Sequence, residues 1–149
     1  MIKRQHRVGR RRGAVAVETA FVMLLFTTFV FGVFEYCRVL MDWNLLNSAA
    51  REGCRYALVN NTSTTISTQV QTLVTNYMAG ESSNFTNFTV TVSGTHLGVS
   101  TAINSLAAGD MITVTVSGTY KFMNIVPLVS MPTTLTLKSA VIMVCEGGT

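Results

Sequence analysis

Charged residues are scarce in this chain. Only 12% of its 149 residues are Asp, Glu, Lys or Arg, whereas 48% are hydrophobic. An ordinary soluble domain carries about 25% charged residues. A chain of this length builds one small domain, so the shortage of charge indicates that an apolar segment occupies part of it.

The sequence also lacks the patterns that carry catalysis. It has two histidines and three cysteines, without the spacing of a zinc site. It contains no HExxH, no GxSxG, no glycine-rich phosphate loop and no clustered carboxylates. A nucleophile pair of Cys54 and His96 is conceivable, but an unrelated Cys and His are far more common. We therefore predict no enzyme activity, no catalytic residue, no metal and no cofactor.

Basic residues are concentrated at the start of the chain. Six of the eleven Lys and Arg residues lie in the first twelve positions, and all seven acids follow Gly13. Basic charge often indicates nucleic-acid binding. Here it forms a short tail before an apolar run, which is typical of a membrane-topology signal. We expect no nucleic-acid partner.

The apolar run covers residues 14–34, and Glu18 is its only charge. As a helix it would be about 32 Å long, close to a hydrocarbon core of about 30 Å. Its twelve Val, Leu and Phe residues favour insertion by about 4 to 7 kcal/mol, against about 2.5 to 3.5 for one central acid. The run therefore predicts a transmembrane helix, with residues 1–13 in the cytoplasm and residues 35–149 outside.

Two other export signals fit less well. A secretory signal peptide has an apolar core of about 7 to 15 residues and a small-x-small cleavage site. This run is longer, and Phe34-Glu35-Tyr36-Cys37-Arg38 follows it without such a site. No small-residue lipobox precedes Cys37, so the sequence disfavours a lipoprotein.

Glu18 has two interpretations. It can be a tolerated acid near the membrane edge. Alternatively, a cut after Gly13 would give Ala14 a free amine and make Glu18 the fifth residue of the mature chain. A buried acid needs a partner, and the amine of a neighbouring subunit would supply one.

The segment Arg12-Gly13-Ala14-Val15-Ala16-Val17-Glu18 resembles a type IV prepilin leader of the tight-adherence (Tad) subclass. Together with two later segments, it is similar to the TadE-like family of pilus-assembly proteins. Those segments are Phe31-Gly32-Val33-Phe34-Glu35-Tyr36-Cys37-Arg38 and Asn47-Ser48-Ala49-Ala50-Arg51-Glu52-Gly53-Cys54-Arg55-Tyr56-Ala57. The region from Pro127 to Glu146 is a looser match to the C-terminal end of the family.

The resemblance implies a minor pilin or pseudopilin that acts in the assembly, initiation or tip of a Tad-type (type IVb) pilus. Prepilin peptidase would cleave between Gly13 and Ala14, and Glu18 would act in recognition and assembly. The expected partners are this peptidase, other pilin subunits and the inner-membrane assembly platform, in a homo- or hetero-oligomer. The expected location is the bacterial inner membrane, and after processing the pilus at the cell surface. Two alternatives stay open: an uncleaved single-pass assembly factor that does not polymerise, and an anchored extracytoplasmic domain of unrelated use.

The pattern of apolar residues predicts a pilin-like α+β fold. A helix is expected over residues 14–58, because small and apolar residues recur every three or four positions after the membrane run. The predicted inward face is Tyr36, Val39, Trp43, Leu46, Ala50, Gly53 and Ala57. Arg38 and Asp42 are expected to pair on the wet side of this helix.

The remaining elements are shorter. A second helix is predicted over residues 66–79. Strands are predicted over residues 88–93, 112–117 and 134–144, because Thr alternates there with Val or Leu. Residues 94–110 and 124–132 are expected to be loops. The result would be three antiparallel strands covered by a helix.

The three cysteines are expected outside the membrane, where disulfides persist. Cys37 and Cys54 lie about 25 Å apart along one helix, which is beyond the reach of about 7 Å between Cα atoms. Any bridge within the chain must therefore use Cys145. We predict that its partner is Cys54, which lies near the helix face that should meet the sheet, whereas Cys37 lies at the membrane edge and would remain a thiol or pair between subunits. The alternative is that all three cysteines are free thiols.

Overall fold

The computed structural model describes residues 10–122 and 134–145, with side chains from residue 13 onward. The first nine residues of the predicted leader, the predicted loop 124–132 and Glu146 lie outside the described residues. The chain divides after Cys37 into two units, Met1–Cys37 and Arg38–Thr149.

Helix α1 spans Arg10–Val59 and belongs to both units. It includes the four residues before the predicted start at Ala14. In the first unit it exposes large apolar side chains whose exposed fractions lie between 42% and 72%. They are Val15, Val17, Phe21, Val22, Met23, Leu24, Leu25, Phe26, Phe29, Phe31, Val33 and Phe34.

The polar side chains inside this run are partly satisfied by the helix itself. The Thr19 hydroxyl donates a hydrogen bond to the Val15 carbonyl at 2.8 Å, and the Thr28 hydroxyl donates to the Leu24 carbonyl at 2.9 Å. Such bonds to the preceding turn lower the cost of placing threonine in an apolar medium. The run is therefore suited to lipid contact, and it is long and apolar enough to span a membrane.

The second unit is a four-stranded antiparallel sheet with helices, which confirms the predicted α+β class. After α1 come α2 (Ile66–Tyr77), β1 (Phe85–His96), β2 (Val99–Thr101), β3 (Met111–Lys121) and β4 (Thr134–Val144). The strand order is β2-β1-β3-β4, so β2 and β4 are the edges. The bounds of β4 are those predicted, and α2 ends two residues earlier than predicted.

The prediction of a loop over residues 94–110 was wrong in part. β1 continues to His96, and a two-residue turn at Leu97 and Gly98 leads into β2. Both turn residues have positive φ angles, 49° and 84°, which is the backbone of a tight hairpin. A leucine rarely adopts this conformation, so the sequence carries no ordinary turn signal there.

The core lies between one face of the sheet and the helices. From the sheet, Ile112, Val114, Val116 and Tyr120 of β3 are fully buried. They alternate with half-buried Thr and Ser on the opposite face, as the period of two predicts. From the helices, the fully buried apolar residues are Leu46, Ala49, Ala50, Cys54, Ala57, Val70 and Val74.

Candidate functional site

The predicted cleavage site lies within the described part of α1. Gly13 and Ala14 are both helical.

Glu18 lies one turn after the predicted cleavage site. Its side chain is exposed, as are the apolar side chains around it. The chain itself supplies no cover for this acid within the described part of the first unit. The structure leaves the predicted roles of Gly13, Ala14 and Glu18 untested, and they stay predictions.

The segment of α1 in the second unit approaches the core through small side chains. A Cβ atom added at Gly53 would lie 2.8 Å from Cγ2 of Val74 and 3.2 Å from Cγ1 of Val70. Real Cβ atoms essentially never show contacts below 3.0 Å. α1 therefore packs closely against α2 at Gly53, and the absence of a side chain there makes the approach possible.

Polar contacts hold α1 against β3 and β4. The hydroxyl of Ser139 on β4 donates to Oδ1 of Asn47 at 2.6 Å. The thiol of Cys54 donates to the Ile112 carbonyl at 3.5 Å and lies 3.8 Å from the Val141 carbonyl. Because these groups are buried or half-buried, losing one partner would leave the other without a hydrogen bond.

The predicted inward face of α1 needs correction at three positions. Tyr36 and Trp43 are 63% and 48% exposed, whereas Asp42, which was expected on the wet side, is only 4% exposed. Burial and the nearby Glu81 raise the pKa of the Asp42 carboxyl, and Arg38 acts in the opposite direction. The guanidinium of Arg38 also lies 5.9 Å from the ring centre of the buried Tyr120.

A second polar group lies at the opposite end of the sheet. Nδ1 of His96 and Oδ1 of Asp110 are 2.5 Å apart, and Asp110 Oδ2 accepts the backbone N–H of Ala107 at 2.7 Å. The hydrogen bond from the Ala107 N–H has the largest effect on the pKa of the Asp110 carboxyl and lowers it. The contact with His96 lowers it further. The pair fixes the loop before β3 against the end of β1.

Cys54 and Cys145 are both buried, and no disulfide joins them in the structure. Burial raises the pKa of both thiols. The backbone N–H of Cys145 donates to the Asp110 carbonyl at 2.7 Å, which places Cys145 one position beyond the β3–β4 ladder. The Cys54–Cys145 disulfide stays a prediction. Cys54 bonds backbone carbonyls and His96 bonds Asp110, so the two do not form a nucleophile pair.

The described residues include no group of three or more His, Cys, Asp or Glu side chains that would hold a metal ion. The described residues form an exposed apolar helix in one unit and a small α+β domain in the other. Such an arrangement is suited to anchoring and to contacts with other chains.

Residues 13–55 match the model of the TadE-like protein family. This confirms the predicted resemblance over that segment, which begins at the predicted cleavage site and ends just after Gly53. The long apolar helix fits a single-pass membrane anchor. Neither curated proteins nor solved structures match the chain.

Proposed function

We propose that this TadE-like chain is a minor pilin or pseudopilin subunit that acts in the assembly, initiation or tip of a Tad-type pilus. The observation that carries the proposal is the extent of the family match. It includes the exposed apolar run and also the α1 face around Gly53 that packs on the domain. Anchor and domain contact are thus both features of the family segment.

In this proposal the chain is made in the inner membrane with residues 1–13 in the cytoplasm and residues 35–149 outside. Prepilin peptidase cuts between Gly13 and Ala14. Glu18 then forms an ion pair with the new N-terminal amine of a neighbouring subunit. This pairing matters because an unpaired acid is costly in the apolar medium. Its exposure on α1 is consistent with a partner from another chain.

The second candidate is an uncleaved membrane-anchored factor that contacts the assembly platform and does not polymerise. It is favoured by the helical backbone at Gly13 and Ala14, which a peptidase would have to unwind before cutting.

Shearing of pili from cells that express an epitope-tagged chain separates the two candidates. A minor pilin is expected in the sheared filament fraction, at a low ratio to the main pilin. An uncleaved factor would stay entirely in the membrane fraction while pili are still made. A Glu18→Gln chain, matched in expression, serves as the control for incorporation.

A further inference from the structure

The part of α1 that belongs to the domain, residues 38–59, has one buried face and one exposed face. Leu46, Ala50 and Ala57 lie on the buried face and are fully enclosed in the core. On the opposite side, exposed residues recur every three or four positions, so they form one stripe along the helix. We call this stripe the arginine face, and its residues are Met41, Asn44, Ser48, Arg51, Arg55 and Val59.

The two arginines of this face lie one helical turn apart and carry the same charge. Residues at positions i and i+4 are neighbours on a helix surface, and like charges at this spacing destabilise the helix. In the part of the chain that the structure describes, neither Arg51 nor Arg55 forms an ion pair. Glu52, the acid closest to them in sequence, is half-buried and forms a salt bridge with neither. The stability of the domain therefore does not explain the pair.

The helix dipole does not explain the pair either. Cations stabilise a helix when they lie in its last turn. The last turn of α1 contains no basic residue, and both Arg51 and Arg55 precede it. Their side chains are also exposed, so they do not serve to fill the core. What remains is a contact with a group outside the chain.

The exposed charge of the domain is positive although its formal charge is nearly balanced. Residues 38–145 contain five basic and four acidic side chains. Asp42 and Asp110 are buried, and Glu52 and Glu81 are half-buried, whereas all five basic side chains are exposed. A second copy of this domain therefore presents no exposed carboxylate from these residues to an arginine face.

The composition of the arginine face favours a protein partner over a lipid surface. Recognition of anionic lipid headgroups takes clusters of about four to eight Lys and Arg residues, and this face has two. Methionine and arginine are enriched in protein interfaces, whereas lysine is depleted. Met41 and Val59, at the two ends of the face, are 62% and 78% exposed, so apolar contacts are available on both sides of the charges.

We propose that the arginine face binds an acidic segment of a protein other than this chain. A guanidinium presents a planar fork of N–H donors that matches a carboxylate in a bidentate contact. Two carboxylates about 6 Å apart, as at positions i and i+4 of a helix, engage Arg51 and Arg55 together. This interface goes beyond the proposed function, because it depends neither on cleavage nor on polymerisation of the chain.

Photo-crosslinking in cells tests the contact. Ser48, exposed on the arginine face, is replaced by p-benzoylphenylalanine in the full chain. Illumination is expected to join the chain to another protein, and the cross-linked peptide is expected to carry neighbouring Asp or Glu residues. The same amino acid at Thr91, exposed on β1, is the matched control, and it should not give this product.

Charge variants decide whether the arginines carry the contact. Arg51→Gln together with Arg55→Gln should lower the yield of the Ser48 product about tenfold, since two exposed ion pairs change a binding equilibrium by about this factor. Lys121→Gln together with Lys138→Gln removes the same charge from exposed positions elsewhere on the domain and should leave the yield unchanged. All four side chains are exposed, so we expect every variant to fold.

Four results would overturn the inference. They are products only with a second copy or with phospholipid, a cross-linked peptide without acidic residues, an undiminished yield in the chain with both Arg→Gln substitutions, or no product although the chain reaches its normal level in membranes. If any of these occurs while the chain is found in sheared pili, the proposed function stands and only the contact is refuted. The reverse outcome, an acidic partner for a chain absent from pili, would support the contact and contradict the minor-pilin role.

Discussion

Gly53→Ala tests whether α1 packs on the domain as closely as the structure indicates. The added Cβ would lie 2.8 Å from Cγ2 of Val74 and 3.2 Å from Cγ1 of Val70. Both neighbours are fully buried β-branched side chains, which have little rotamer freedom with which to yield. Overpacking costs about 1 to 3 kcal/mol, while replacing glycine by alanine in a helix gains about 1 kcal/mol. We expect the free energy of unfolding to fall by about 1 kcal/mol.

The free energy of unfolding is measured by denaturant unfolding of the full chain in detergent. The signal is the fluorescence of Trp43, the single tryptophan. Gly32→Ala is the matched control, because nothing lies within 4 Å of its added Cβ. A double-mutant cycle with Val74→Ala isolates the contact: Gly53→Ala should cost less, or stabilise, when Val74 is already truncated. If Gly53→Ala stabilises the wild-type chain by the full helix gain, the close approach at Gly53 is refuted.

Three further predictions concern single groups. Glu18→Gln should insert into membranes normally and yet be lost from sheared pili, since insertion depends on apolar residues and assembly on the acid; equal incorporation would make Glu18 a tolerated edge residue. Asp110 has a lowered pKa, so it stabilises the fold above about pH 4 and this contribution is lost as pH falls through the folded-state value. Asp110→Asn should remove that part of the acid dependence of the unfolding midpoint, and an unchanged pH profile would contradict the prediction. Non-reducing peptide mapping should find Cys54 joined to Cys145, whereas a Cys37–Cys145 peptide or three alkylatable thiols would refute the bridge.

The regular parts of the domain could be predicted because their signals are local. Alternation of Thr with Leu gives β4 its observed start at Thr134, and apolar positions repeating every three or four residues give α2. β2 was missed because its turn uses Leu97 at a positive φ angle, where an Asn-Gly pair would have been recognisable. Three residues are also too few for a pattern of alternation.

The inward face of α1 was harder to predict because periodicity alone does not decide which neighbouring stripe is buried. Trp43 was expected inside because it fits the repeat of three and four residues, and Asp42 was expected outside as the partner of Arg38. The structure reverses both. The other predicted positions, Val39, Leu46, Ala50, Gly53 and Ala57, are buried, and Asp42 extends the buried face near Arg38. The burial of Asp42 near Glu81 is a tertiary feature that no local pattern carries.

The functional residues also differ in whether a local pattern predicts them. The positions of Gly13 and Glu18 follow from a linear motif, so the sequence alone places them. The partner of Glu18 belongs to another subunit in this account, and one chain cannot reveal it.

The N-terminal residue of the chain tests the central claim most directly. The chain is extracted from membranes of cells with an active prepilin peptidase, and its N-terminus and intact mass are determined beside those from peptidase-deficient cells. The account predicts Ala14 as the first residue in the former and the uncut leader in the latter. A chain that begins at Met1 or Ile2 in both would contradict processing and favour the uncleaved assembly factor.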